Sequence, residues 1–470
     1  MKTTCPRETD YRTHQAEIAE EHRKLQSRIV DLFGQRVWFM TEAALSVCVS
    51  CLLKDIANPL ALIFVDGPST EKTTVLDFFD GLPYCHRVDK FTPASFLTQS
   101  VNVKKKDLEG IDLLAQLPYK TLLIPEMGPL FSQPKEILAA SYGVLARILD
   151  GSGFSNAGAV HGRRALTGDY MFGMLGASTP IDQTAWHAMG KLGSRLLFLN
   201  APARLSRSDR RQRARAIIDG RIDYRQKRQS AKEAVKNFFA TFFKAHEPNP
   251  YLPPPDAPKG LDSKEALLDH CGYLPRSVAW DTPSKNDKRS VDVIVLLAEF
   301  VTTARQDTRI WRDTGPDGVD NVLSTEAISE GVDRFTAVIN NLARSHALLS
   351  GRRWIAPEDL PLVTTVSMSS IPDDRRKALE LLIGHARQSG DRSAGEISTQ
   401  ELARYAGVSD KTALNLMRKL EKLNLGSVVA GTGRIGAAFR LHPDYEWLFE
   451  NSFWKHYRAW ETTNSRQYSE

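Results

Sequence analysis

The sequence predicts an α/β protein: a parallel sheet covered by helices on both faces, then a helical region, then a small helix-and-strand domain. Three observations carry this. Short apolar runs alternate with helical patterns from residue 60 to 200, the arrangement that builds βαβ units and a parallel sheet. Helical periodicity resumes over Ser290–Thr303 and Ile328–Ser350. After Pro372 the pattern changes to helices followed by two short strands. At 470 residues more than one core is expected, because single cores stop growing at about 250–300 residues.

Residues 12–33 carry alternating charge and few apolar positions, which predicts an exposed helix; Phe39–Leu53 predicts a second, more buried one. Cys48 and Cys51 have the spacing of a redox or metal pair. No second Cys or His pair lies nearby, and they fall at i, i+3 on an apolar helix, so buried thiols are expected. Five scattered cysteines make no disulfide framework. The longest mostly apolar run, Ala43–Leu53, stops at Lys54 and Asp55, short of the ~20 residues of a membrane span. With 42% apolar and 25% charged residues and no signal-like opening, a cytoplasmic globular protein is expected.

The apolar run Leu60–Val65 reads as a strand, and a helix starts near Lys72. Between them lies Gly67-Pro68-Ser69-Thr70-Glu71-Lys72-Thr73-Thr74. Strand, loop and helix in this order suit a phosphate-binding loop, where backbone amides face phosphates, a lysine neutralises them and a hydroxyl reaches Mg²⁺. Gly67, Ser69, Thr70, Lys72, Thr73 and Thr74 are the candidate nucleotide contacts, with Thr73 the candidate Mg²⁺ ligand. Anchoring G-x-x-x-x-G-K-[ST] on Lys72 and Thr73 puts Asp66 and Glu71 where glycines are expected. Glu71 weakens nucleotide binding unless its side chain points outward. Read alone, the stretch is equally a turn before a helix.

Lys120–Ile124 predicts a strand ending in Pro125-Glu126; in P-loop ATPases the strand with the acidic residues lies beside the phosphate loop. A carboxylate at that strand end can orient an attacking water, and Glu126 is the candidate base; the alternative is a solvated turn. Tyr170–Leu175 predicts a strand closed by Gly176-Ala177-Ser178-Thr179-Pro180, where Thr179 or Ser178 could reach the γ-phosphate or the water. A plain capping turn fits as well. Leu192-Gly193-Ser194-Arg195-Leu196 offers an arginine before a further strand, either a surface salt bridge or a cation presented to a neighbour's γ-phosphate.

In this order and spacing the four stretches resemble an AAA+ ATPase, closest to the branch of MCM and magnesium-chelatase proteins. The resemblance spans residues 58–370, with an irregular patch from about 206 to 285. It implies a parallel-sheet core with a helical lid, ATP as substrate with Mg²⁺, and a homo-oligomeric ring, of which a hexamer is one form. Thr179 would be sensor 1 and Arg195 the arginine finger. Gly158–Arg164 falls where the branch inserts hairpins facing the pore. Val332-Asp333-Arg334 through Ala347 resembles the sensor-2 helix, so Arg334 would touch the γ-phosphate from the lid. Ile355-Ala356-Pro357-Glu358-Asp359-Leu360 resembles the start of the next lid helix. Asp66, Glu71 and Pro125 depart from the pattern and bear on turnover more than on fold.

The net charge is +6. Arg204–Glu233 holds eleven Lys or Arg and four Asp or Glu, a surplus of seven that leaves the rest near neutral. Such a block, including Arg210, Arg211, Arg213 and Arg215, suits nucleic acid phosphates, or is a solvated helix. Pro248-Asn249-Pro250 and Pro253-Pro254-Pro255 mark an irregular linker.

Beyond Pro372, Arg375–Arg387 predicts one helix, Ser398 with Glu401 a capping box opening a second, and Lys411–Asn424 a third with Leu414, Met417, Leu420 and Leu423 buried. Val428-Val429 and Phe439–Leu441 predict strands around Gly431–Arg434. This part resembles a winged helix-turn-helix domain. Lys411, Thr412, Asn415, Arg418, Lys419, Lys422 and Arg434 would face DNA; protein docking is the alternative use.

The expected organisation is N-terminal helices to 57, the nucleotide-binding core over 58–205, basic segment, linker and lid over 206–372, the winged helix over 373–445, and a tail over 446–470. The expected function is a DNA-associated ATPase ring that translocates on or remodels DNA. The alternative is a catalytically weak, nucleotide-gated DNA-binding scaffold or regulator.

Overall fold

The computed structural model describes residues 8–98, 104, 107–108, 110–158, 162–192, 195–201, 207–219, 223–248, 251–280, 283–308, 310–314, 320–324, 331–389, 396–430, 436–450, 453 and 456–457. Two helices open it, α1 (Glu8–Phe33) and α2 (Gln35–Val49), joined at Gly34 with φ of 90°, a backbone that glycine adopts without strain. The charged pattern of α1 suggests exposure along its length. Instead Ile18, Leu25 and Ile29 form a buried stripe, and the helix packs along a lid helix. Few apolar positions suffice when they share one face. Cys48 and Cys51 are buried free thiols, and burial pushes the Cys51 thiol up to about 12.

The core runs β1 (Ala61–Val65), α3 (Lys72–Asp77), β2 (Cys85–Arg87), α4 (Leu113–Gln116), β3 (Thr121–Ile124), α5 (Gly128–Phe131), α6 (Lys135–Ile148), the hairpin β4 (Gly153–Gly158) and β5 (Gly162–Thr167), β6 (Gly173–Ser178), α7 (Gln183–Leu192) and β7 (Leu196–Leu199). Five of these strands form a parallel sheet in the order β2-β3-β6-β1-β7. β1, β3, β6 and β7 are buried throughout, as strands covered on both faces must be. Alternation divides their side chains between two cores. Leu62, Phe64, Leu175 and Leu197 join α2; Ile63, Ile124, Met174 and Phe198 join α6 and α7. Each such burial contributes roughly 1.5–3 kcal/mol.

The lid comprises α8 (Arg207–Ile218), α9 (Tyr224–Ala245), α10 (Lys264–Cys271), α11 (Lys288–Ala304), the hairpin β8 (Ile310–Thr314) and β9 (Asp320–Ser324), α12 (Val332–Leu349) and α13 (Leu360–Ser369). It is packed into the core: α9 lies along α1, α12 against α2, and α13 against β7.

After Pro372 come α14 (Asp373–Ser389), β10 (Glu396–Ser398), α15 (Thr399–Ala406), α16 (Asp410–Lys422), β11 (Gly426–Val429) and β12 (Ala438–Leu441). The strands form an antiparallel sheet, β10-β12-β11. Ser398 caps α15, and Glu401 bonds back to its amide at 2.8 Å. The buried positions of α16 are Ala413, Leu416, Met417 and Leu420, with Leu423 just beyond its end. Leu414, expected in that stripe, is only half-buried, because the 3.6-residue repeat through Met417 and Leu420 selects Ala413.

Candidate functional site

The C-terminal ends of β1, β3 and β6 lie level. Ile63 and Ile124 both pair with Gly176, the Asp66 amide donates to Ser178 O at 3.2 Å, and the Met127 amide to Ala177 O at 2.7 Å. The loop after β1, Glu126 after β3 and Thr179 after β6 therefore meet at one sheet edge, where ligands bind in open α/β sheets. β6 lies between β3 and β1, so Glu126 approaches the loop across the end of β6.

In the loop, Lys72 is buried and opens α3. Its Nζ donates to Asp66 O at 2.8 Å, Gly67 O at 2.6 Å and Thr70 Oγ1 at 3.1 Å. Burial lowers the Lys72 pKa; Asp66 and Glu126 oppose that shift, and Arg36 adds to it. Ser69 and Glu71 stand at φ of 59° and 69°, left-handed backbone costing a non-glycine residue roughly 1–2 kcal/mol. Glu71 thus occupies the conformation for which a glycine was expected. Thr73 is exposed on the first turn of α3. Thr74 is buried, its Oγ1 lying 3.4 Å from Arg228 Nη2 of α9.

Glu126 Oε1 accepts the Gly128 amide at 2.8 Å. A Cβ at Gly128 would lie 2.6 Å from that oxygen and 3.6 Å from Thr179 Oγ1, so carboxylate and hydroxyl flank one spot. Thr179 is exposed, whereas Ser178 is buried and donates to Thr179 O at 2.8 Å. Of the two hydroxyls, Thr179 is the one available to a ligand.

The two remaining arginines lie elsewhere. Arg195 precedes β7, opposite the start of β1, roughly 17 Å along the sheet from the loop at 3.3 Å per residue. Its Nε donates to Asp150 Oδ1 at 3.1 Å, and Arg334 Nη1 reaches the same oxygen at 2.6 Å. Burial opposes ionisation of Asp150, yet hydrogen bonds from Arg334 and Arg195 hold its carboxyl below the ordinary value. Arg334 therefore does not face the loop of its own chain, as expected from the sequence; it shares a carboxylate with Arg195 at the far edge. Asp150 carries no motif that would mark it in the sequence. Gly193 and Ser194 lie outside the described residues.

The hairpin expected near Gly158–Arg164 is β4–β5, its tip at 159–161 outside the described residues. Arg163 is exposed, while Arg164 is buried and paired with Asp112. In α8, Arg211 and Arg215 are exposed; the side chains of Arg210 and Arg213 lie outside the described residues, as does Arg434. On α16, Lys411, Thr412 and Lys422 are exposed, while Asn415, Arg418 and Lys419 are half-buried. Thr412, Asn415 and Lys419 line a cleft of about 450 Å³ shared with Asp182, Gln183 and Trp186 of the core. That is the size of a small-molecule pocket. The six α16 residues thus do not form one open face.

Among the described residues no helix is long and apolar enough to cross a membrane, and no three His, Cys, Asp or Glu side chains converge as metal ligands. Mg²⁺ bound with a nucleotide takes most ligands from phosphates and water. The exposed Thr73 hydroxyl fits that role, and Pro125 supplies no ligand.

No family model and no curated protein matches the chain. Among solved structures it is similar to a full-length MCM homolog from Methanopyrus kandleri, with a TM-score of 0.36 and 13% identity over 79% of this chain and 64% of that one. The chain thus spans less than two thirds of that protein.

Proposed function

We infer that the chain is an ATPase of the AAA+ kind that works as a ring on DNA. The observation supporting this most is the sharing of labour between two sheet edges. Lys72, Thr73, Glu126 and Thr179 gather at one edge; Arg195 and Arg334, tied through Asp150, stand at the other. Within one chain the arginines are too far from the loop to touch a nucleotide. In a head-to-tail assembly each chain would present them to its neighbour's γ-phosphate.

In this reading the loop amides and Lys72 bind the phosphates, and Thr73 holds Mg²⁺, whose charge neutralises the transferred group. Glu126 orients the attacking water, with Thr179 beside it. Arg195 and Arg334 stabilise charge developing on the γ-phosphate across the interface. The antiparallel three-stranded sheet and three helices after Pro372 fit a winged helix, and α8 offers exposed arginines to a phosphate backbone. Glu71, Asp66 and Pro125 favour a second reading, a nucleotide-gated scaffold with little turnover.

Binding of a labelled ATP analogue tests the site: Lys72→Ala should abolish it, and unchanged binding rejects the assignment. Arg195→Ala should keep binding and lose hydrolysis. Mixing it with Lys72→Ala should restore part of the activity, because some interfaces then combine an intact loop with an intact arginine. No restoration, with the chain monomeric in the presence of ATP and DNA, rejects the shared site.

A further inference from the structure

The donors of the phosphate loop are engaged by the protein itself, and Asp66 and Arg36 stand at the centre of these contacts. A lysine ammonium has three donors. All three on Lys72 are used inside the loop, by Asp66 O, Gly67 O and Thr70 Oγ1. The Gly67 amide, one of the groups that would face a phosphate, donates instead to Asp66 Oδ1 at 2.6 Å. The other Asp66 carboxylate oxygen is ion-paired with Arg36, with both side chains largely buried. Arg36 reaches further: its Nη1 donates to Thr70 O at 2.9 Å, and its Nε lies 3.4 Å from Ala201 O. One guanidinium in the first turn of α2, next to the Gly34 joint, thereby holds both ends of the loop and the chain leaving β7 toward the lid.

We propose that Asp66 and Arg36 form a latch that closes the loop against phosphate, with Asp66 standing in for the anion, and that nucleotide binding transfers Arg36 and Lys72 from Asp66 and the loop carbonyls to the polyphosphate. This rests on the nucleotide reading above and adds its regulation. A buried carboxylate at the loop's first position repels an incoming polyphosphate and competes for the same donors. Because Arg36 also touches Ala201, opening the latch releases the joint between the N-terminal helices, the core and the lid. Arg36 is then a positioning residue in the closed state and a phosphate contact in the open one.

The test is equilibrium binding of a fluorescent ATP analogue to the full chain, with and without Mg²⁺. Asp66→Asn keeps the shape and removes the charge; it should tighten binding by roughly tenfold, equivalent to about 1.4 kcal/mol. Arg36→Ala should weaken binding, and should do so in the Asp66→Asn background as well. A merely structural partner of Asp66 would have no effect once the carboxylate is gone. Asp66→Gly is the second variant, and thermal melts establish that each variant is folded. Parent-like binding by Asp66→Asn and Asp66→Gly, with Lys72→Ala still abolishing it, overturns the latch and leaves the nucleotide site standing. Failure of both Asp66 variants to fold also overturns it, since a latch that opens cannot be required for the fold. Absence of binding in every protein overturns the latch and the nucleotide site together.

Discussion

Replacing Asp359 by alanine should be among the most destabilising single changes in the molecule. Its carboxylate is fully buried and accepts four hydrogen bonds: His346 Nδ1 at 2.7 Å, Arg352 Nη1 at 2.9 Å, Arg352 Nη2 at 2.8 Å and the Ala356 amide at 2.8 Å. His346 also lies 3.4 Å from Glu42 of α2, which is 3.8 Å from His22 of α1. The network thus ties both N-terminal helices to the lid. Removing one partner of a buried pair strands the others, at about 3–5 kcal/mol, a fall in melting temperature of about 6–10 °C at roughly 2 °C per kcal/mol.

The same network sets a pH dependence. Burial lowers the His346 pKa, but hydrogen bonds and charge from Asp359 and Glu42 win and raise it to about 9. Its folded value lies above the ordinary 6.5, so its stabilisation is whole below about pH 6.5 and is lost as pH rises through about 9. Melting followed by circular dichroism from pH 6 to 10 should show that alkaline decline in the parent and a shallower one in Asp359→Ala. A variant that melts within 2 °C of the parent, with the same alkaline slope, shows that the Asp359–His346 network does not hold the helices together.

His22 is held neutral by burial, its pKa lowered to about 4 despite Glu42; His22→Gln should therefore lose less stability than the parent as pH falls from 6.5 toward 4, read in a second series of melts over that acid range. Asp150→Asn removes the acceptor shared by Arg195 and Arg334; partly exposed, the pair of bonds should account for about 1–2 kcal/mol of stability, read by urea titration, with ATP binding unchanged and hydrolysis reduced. Glu71→Gly should tighten ATP binding without loss of melting temperature, because glycine relieves the left-handed strain. Ending the chain at Pro372 should weaken DNA binding and flatten its salt dependence, measured by fluorescence anisotropy, while basal hydrolysis persists; unchanged anisotropy makes the C-terminal domain a protein-docking module.

The sheet and both helical regions were legible because their signals are local. The apolar runs at Leu60–Val65 and Leu122–Ile124 are short and alternate with helical patterns, which points to buried strands, and Ser398 with Glu401 is a complete cap in four residues. β2 was missed because Cys85-His86-Arg87 has no apolar run, being half-buried at the sheet edge. β10 was missed because three residues ahead of a cap carry no period. At the site, motif order named Lys72, Glu126 and Thr179, which the fold brings to one edge. Motifs could not reveal Asp150 or Arg36, whose roles come from partners 45 and 30 residues away. Nor could they tell that Arg334 turns toward Arg195, since helix periodicity fixes a face and not the neighbour it meets.

The central claim is that Glu126, set at the edge with Lys72 and Thr179, turns over ATP. Steady-state phosphate release by the parent and by Glu126→Gln, with and without DNA, tests it most directly. The parent should turn over ATP with stimulation by DNA, and Glu126→Gln should fall by at least roughly a hundredfold with ATP binding retained. Equal phosphate release by the two proteins, or none by a parent that binds ATP, contradicts it.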